Sequence, residues 1–110
     1  ATSSKIAIWL SFYYGGSYQT NNNPHFGLFR DTTQISTDIT TGHSSDNYSV
    51  DSGDRASFNY LDSPSTTSSV TYSLYWHTES ASTIYFNKGS SNTTWGQGTS
   101  ALMLFEIDGS

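Results

Sequence analysis

The chain has 110 residues and a mass of 12.1 kDa, which corresponds to a single domain. Its four basic and nine acidic residues give a net charge of −5. These cations are too few to bind nucleic acid by displacing counterions or to dock on an anionic membrane. The lack of cysteine excludes disulfides and thiolate metal sites. An aromatic content of 15% argues against disorder. A helix that crosses a membrane needs about 18 consecutive apolar residues, and the sequence contains no such run.

Apolar and polar residues alternate along most of the chain, which is typical of β-strands with one buried face. No stretch shows a helical repeat. In chain order, the predicted strands cover residues 5–14, 25–30, 34–39, 48–50, 55–61, 70–77, 83–87 and 101–107. Gly15-Gly16-Ser17 and Ser52-Gly53-Asp54 are interpreted as breaks between strands. The spacing predicts an all-β fold, an antiparallel β-sandwich or jelly roll of 7–8 strands that occupies residues 1–110 as one domain.

Two of the predicted strands carry more apolar residues than one buried face requires. The last strand is apolar on both faces, which predicts a central position in a sheet or burial at a subunit contact. Trp9 and Tyr13 lie opposite the apolar face of the first strand. Because a single sandwich buries only one face of each sheet, we expect these surfaces to meet other copies of the chain, as a homotrimer.

The polar residues lack the spacing that catalysis requires. His25, His43 and His77 form no metal-binding pattern with one another. Glu79 and Glu106 are the only glutamates, and neither suggests the paired carboxylates of a glycosidase. The sequence therefore predicts a protein that is not an enzyme and has no catalytic residues.

Asp46, Asp51 and Asp54 crowd one predicted loop, and carboxylate oxygens are ligands that calcium prefers. Two interpretations are open, a bound calcium ion or ordinary aspartates that close turns. No other cofactor is indicated.

Exposed aromatic residues suit either a subunit interface or a sugar site, where a ring stacks on the sugar and amides bond its hydroxyls. Two loops, 18–23 and 92–97, combine an aromatic residue with amides. The candidate ligand-binding residues are Tyr18, Asn22, Asn92, Trp95 and Gln97.

An ordered set of short stretches covers nearly the whole chain: ATSSKI at 1–6, FRD at 29–31, NYLDSP and TTSSVTY within 59–72, IYFNK at 84–88 and TSALMLFEI at 99–107. The set resembles C-terminal globular head domains of tail-fibre-like structural proteins of bacteriophages, notably marine ones. Lys88 departs from the pattern, in which Arg is common, and the stretches 18–24 and 91–98 follow no pattern of the family.

This resemblance implies a β-sandwich head at the C-terminal end of a longer virion protein, and comparable heads can be similar to the C1q/TNF jelly roll. Such heads are often trimeric, lie outside the cell, and attach the particle to a host-surface glycan or protein. The alternative is a purely structural virion domain for trimerisation, capping or capsid decoration. A small hydrolase is the third hypothesis, and no residue spacing supports it.

Overall fold

A computed structural model describes residues 2–18, 24–37, 39–40, 48–78, 84–87 and 98–109. Within these ranges, every element of regular secondary structure is a β-strand. The strands are β1 (Lys5–Tyr18), β2 (Pro24–Arg30), β3 (Thr33–Gln34), β4 (Ile39–Thr40), β5 (Tyr48–Asp62), β6 (Tyr72–Thr78), β7 (Ile84–Phe86) and β8 (Ala101–Ile107). They form two antiparallel sheets, so the prediction of an all-β antiparallel sandwich is confirmed. The described residues contain no helix with the length and apolar character needed to cross a bilayer.

Strand β1 is the centre of the first sheet, which we call sheet A. Strand β5 pairs with β1 along almost its whole length. Strands β7 and β8 pair with different parts of β1, at 14–16 and 5–11 respectively. Because β5 occupies one edge of β1, β7 and β8 lie end to end along the other.

Strand β2 has the same position in the second sheet, sheet B. Strand β6 pairs with all of β2, from Pro24 to Arg30. The two-residue strands β3 and β4 pair with opposite ends of β2 along its second edge. Each sheet is therefore organised around one central strand, with shorter strands at its margins.

The core lies between these two central strands. Ile8, Leu10, Phe12 and Tyr14 alternate along β1 and are at most 5% exposed, and Phe26 and Leu28 of β2 are fully buried. The rings of Phe12 and Phe26 lie 4.5 Å apart between centroids. Each such side chain contributes roughly 1.5–3 kcal/mol by leaving water, so these residues hold the two sheets face to face.

Strand β6 crosses sheet A obliquely. At one end, the Tyr72 hydroxyl donates a hydrogen bond to Asp62 of β5. Near its other end, Trp76 stacks on Phe86 of β7, with 5.1 Å between ring centroids. Sheet B therefore covers β5 at one end of the sandwich and β7 at the other, whereas all seven residues of β8 are exposed.

Three predicted boundaries are wrong. Strand β1 continues through Gly15-Gly16-Ser17 to Tyr18, and β5 continues through the turn predicted at 52–54. A register shift between Tyr14 and Gly16 accommodates extra residues of β5, as a β-bulge does. The single strand predicted at 34–39 is instead the separate pair β3 and β4.

The predicted location of the last strand needs a correction. Strand β8 is not central: among the described residues its only strand neighbour is β1, and all seven of its residues are exposed. It is an edge strand because sheet A ends there and sheet B passes to one side. Burial at a subunit contact, the other expectation, stays a prediction.

Candidate functional site

The candidate ligand-binding residues from the sequence fall at the margins of the described structure. Tyr18 ends β1, where its backbone pairs with Tyr48, but its side chain lies outside the described part. Asn22, Asn92, Trp95 and Gln97 all lie outside the described residues. A ligand site at these positions stays a prediction.

The aspartates proposed for calcium are only partly described. Asp51 and Asp54 lie within strand β5, not in a loop as predicted, because pairing with β1 continues past them. Their side chains and all of Asp46 lie outside the described part. Among the side chains that the structure describes, no group of three or more His, Asp or Glu could hold a metal ion.

The described residues form a different concave site on the outer face of sheet B. Its floor is the pairing of β2 with β6, in which Gly27 lies opposite Tyr75 and His25 opposite His77. The cavity volume is about 290 Å³, near the lower limit of small-molecule sites. The residues that line this site, which we call the sheet B groove, are Gly27, Phe29, Gln34, Tyr75, Trp76 and His77.

An exposed tyrosine dominates the sheet B groove. Tyr75 is 56% exposed, although the ring of Phe29 meets it edge-on with 4.7 Å between centroids. The His25 and His77 rings are stacked beside it, 4.9 Å apart and 8° from parallel. Phe29 therefore supports the Tyr75 ring, which presents apolar surface together with a hydroxyl.

Gly27 makes room for an amide in the same groove. A Cβ atom at Gly27 would lie 3.0 Å from Nε2 of Gln34 and 3.3 Å from Cε1 of Phe29. The Gln34 amide donates a hydrogen bond to the Ser36 carbonyl at 3.1 Å, which restricts its orientation. The glycine thus allows the Gln34 amide to lie close over β2.

Aromatic surface beside an amide and imidazoles is suited to binding, since such groups stack on a ligand and exchange hydrogen bonds with it. None of the described lining residues carries a carboxylate, which is the group that glycoside hydrolysis uses as acid and base.

A buried polar cluster elsewhere has a different character. Asp62, only 4% exposed, accepts hydrogen bonds from Arg30 and from the Tyr72 hydroxyl. Burial, followed by the hydrogen bond to Asp62, raises the pKa of Tyr72. The hydrogen bond to Asp62 also raises the pKa of Arg30. These contacts join sheet B to sheet A at one end of the sandwich, and we assign the cluster a structural role.

The alternation of residues 70–77 predicts that Tyr75 and His77 lie on the outward face of their strand, and the register of β6 with β2 agrees. The alternation does not identify the groove, because the groove depends on the pairing of β2 with both β6 and β3. The same alternation predicts an inward, buried Trp76; the structure has it in contact with Phe86 but 46% exposed at the sheet edge.

No protein-family model, curated protein or solved structure matches this chain.

Proposed function

We propose that this chain is a non-catalytic head domain of a virion fibre that attaches the particle to a glycan on the host surface. The observation that carries the proposal is the exposed Tyr75 ring in a groove of about 290 Å³ that also contains the Gln34 amide and the His77 imidazole. The virion context comes from the resemblance to phage fibre heads.

The chemistry of the groove favours a sugar over an ion or a lipid. A pyranose presents a CH face that packs on an aromatic ring, and its hydroxyls exchange hydrogen bonds with amide and imidazole groups. The described lining residues include no lysine or arginine for a phosphate. The cavity volume matches one or two sugar units, so we expect weak binding by a single copy.

Several copies on one fibre would convert weak binding into firm attachment, because linked sites raise the effective concentration. We therefore propose that the chain forms a homotrimer outside the cell and that each copy has a jelly-roll or C1q-like fold. The loop residues Tyr18, Asn22, Asn92, Trp95 and Gln97 are included as further glycan contacts.

The proposal is tested by screening the protein on a glycan array and measuring monovalent affinity for the best glycan by NMR titration. Tyr75→Ala should weaken that affinity at least tenfold. Trp9→Ala is the matched control, because it removes a ring of similar exposure, 51% against 56%, from the other sheet. An array without signal, or equal effects of both substitutions, would contradict glycan binding in this groove.

A second candidate is a purely structural virion domain for trimerisation, capping or decoration. The exposed apolar residues Trp9, Met103 and Phe105 on sheet A favour it. In that case, Tyr75→Ala in the parent virion would leave adsorption to host cells unchanged, whereas the attachment proposal expects adsorption to fall.

A further inference from the structure

Strand β8 is an apolar edge exposed on both of its faces. Its large apolar residues are 38–48% exposed, and they are Leu102, Met103, Leu104, Phe105 and Ile107. An exposed apolar edge strand is normally covered or blunted, because it invites pairing with other chains. We call residues 101–107 the β8 ridge.

The register with β1 assigns the residues of the β8 ridge to two sides. Leu102 and Leu104 point to the inner side of sheet A. Their partners in the register are the core residues Leu10 and Ile8. Met103 pairs with Trp9, so it and the alternate residues point to the outer side of sheet A. The ridge therefore carries two separate apolar surfaces.

The outer surface continues across sheet A. The Trp9 ring meets Phe105 edge-on, with 5.5 Å between centroids. Leu61 of β5 lies opposite Ala7 on the same face and is 53% exposed. Trp9, Asn59 and Met103 also line a depression of about 190 Å³.

The exposed apolar area is divided unequally between the two sides. On the outer side, the large apolar residues are 46–53% exposed and together expose on the order of 500 Å², at roughly 200 Å² for a fully exposed large side chain; they are Met103, Phe105, Ile107, Trp9 and Leu61. On the inner side, Leu102 and Leu104 expose about 170 Å² by the same measure. A standard interface buries about 800 Å² on each partner, so the outer apolar patch can form the centre of a contact that polar neighbours complete.

We propose that the β8 ridge lies between two other copies of this chain, with its inner side packed against the outer side of the next copy. A two-fold contact would use one surface twice, whereas a head-to-tail contact joins two different surfaces. The ridge offers two such surfaces.

Charge supports the same pairing. At one end of β8, Lys5 lies on the outer side, opposite Ile107, and Glu106 lies on the inner side, opposite Ile6. When the inner side of one copy packs on the outer side of the next and their β8 strands run in the same direction, Glu106 of the first copy comes toward Lys5 of the second. An anionic membrane is disfavoured as the occupant because the chain has a net charge of −5.

The experiment is native mass spectrometry of the full chain at tens of micromolar, with Leu104→Lys on the inner side and Met103→Lys on the outer side. The wild type should assemble, and each variant alone should have the 12.1 kDa mass of one chain. A mixture of the two variants should form heterodimers, because the intact inner side of one meets the intact outer side of the other.

Thr37→Lys, at an exposed position just after β3 of sheet B, is the charge-matched control and should assemble like the wild type. Circular dichroism of each variant verifies the fold. A wild type that stays single, or variants that do not combine on mixing, would overturn the proposal. The proposed contact between copies does not depend on glycan binding. Leu104→Lys should keep the monovalent affinity for the glycan, and Tyr75→Ala should keep the assembly of copies.

Discussion

One nitrogen of Arg30, Nη1, donates hydrogen bonds to both carboxylate oxygens of Asp62, at 2.7 Å and 2.8 Å. Arg30 ends the central strand of sheet B, and Asp62 ends β5 of sheet A. The Tyr72 hydroxyl donates to the same carboxylate at 2.7 Å. The carboxylate therefore joins the two sheets where the apolar core ends.

Arg30→Met should lower the free energy of unfolding by about 3 kcal/mol, because it leaves a buried carboxylate without its cation. Arg55→Met is the matched control. The exposed Arg55 donates to Ser11 and to the Thr99 carbonyl, so its loss should cost less than about 1 kcal/mol. Urea unfolding of both variants provides the measurement, and equal losses would show that the Arg30 contact is no stronger than a surface one.

Tyr72→Phe should reveal a pH-dependent part of the stability. Because burial and Asp62 raise the pKa of Tyr72 in the folded state, its contribution is complete below the ordinary tyrosine pKa of about 10 and is lost as pH rises above it. The variant should be about 1–2 kcal/mol less stable at pH 7, since it lacks a hydrogen bond to a charged group. The gap between wild type and variant should narrow above pH 10.

Urea unfolding at several pH values from 7 to 11 measures this gap. A difference that stays constant across the whole range would contradict the raised pKa.

Phe12→Ala should destabilise the sandwich by about 3–5 kcal/mol, because it opens a cavity between the sheets. Phe12 is fully buried and contacts both Phe26 and Phe86. Tyr75→Ala removes a ring that is 56% exposed and should cost less than about 1 kcal/mol. Thermal or urea unfolding compares them, and a loss below 1 kcal/mol for Phe12→Ala would place the core elsewhere.

The sequence predicts strands well where alternation is local. The inward positions of Phe12 and Phe26 follow from the period of two in their own strands. Strand pairing is not local, so the continuation of β1 through Gly15-Gly16 depends on hydrogen bonds from neighbouring strands that the sequence does not reveal. The edge position of β8 was missed for a related reason. A strand that is apolar on both faces is typical of a sheet centre, and only the pairing shows that its second edge has no strand beside it among the described residues.

In the candidate site, too, local alternation predicts some features and non-local strand pairing decides the others. Alternation alone places Tyr75 and His77 outward. The short hairpin of β2 and β3 brings Gln34 beside Gly27, but Tyr75 is distant in sequence and reaches the groove only through the pairing of β6 with β2. The groove therefore could not be predicted from the sequence.

Gly27→Ala should weaken glycan binding about fivefold to tenfold with little loss of stability. The new methyl group would lie 3.0 Å from Gln34 Nε2, so the flexible amide must move out of the position from which it contacts the groove. Gln34→Ala removes the amide and should weaken binding to a similar extent.

The double variant separates displacement of the amide from a general change in the groove. If Gly27→Ala acts only by moving Gln34, it should have no further effect in the Gln34→Ala background, and the cycle should show a clear coupling energy. NMR titration with the same glycan measures all four proteins. Independent, additive losses would contradict the steric link between Gly27 and the amide, because the methyl group would then weaken binding without acting through Gln34.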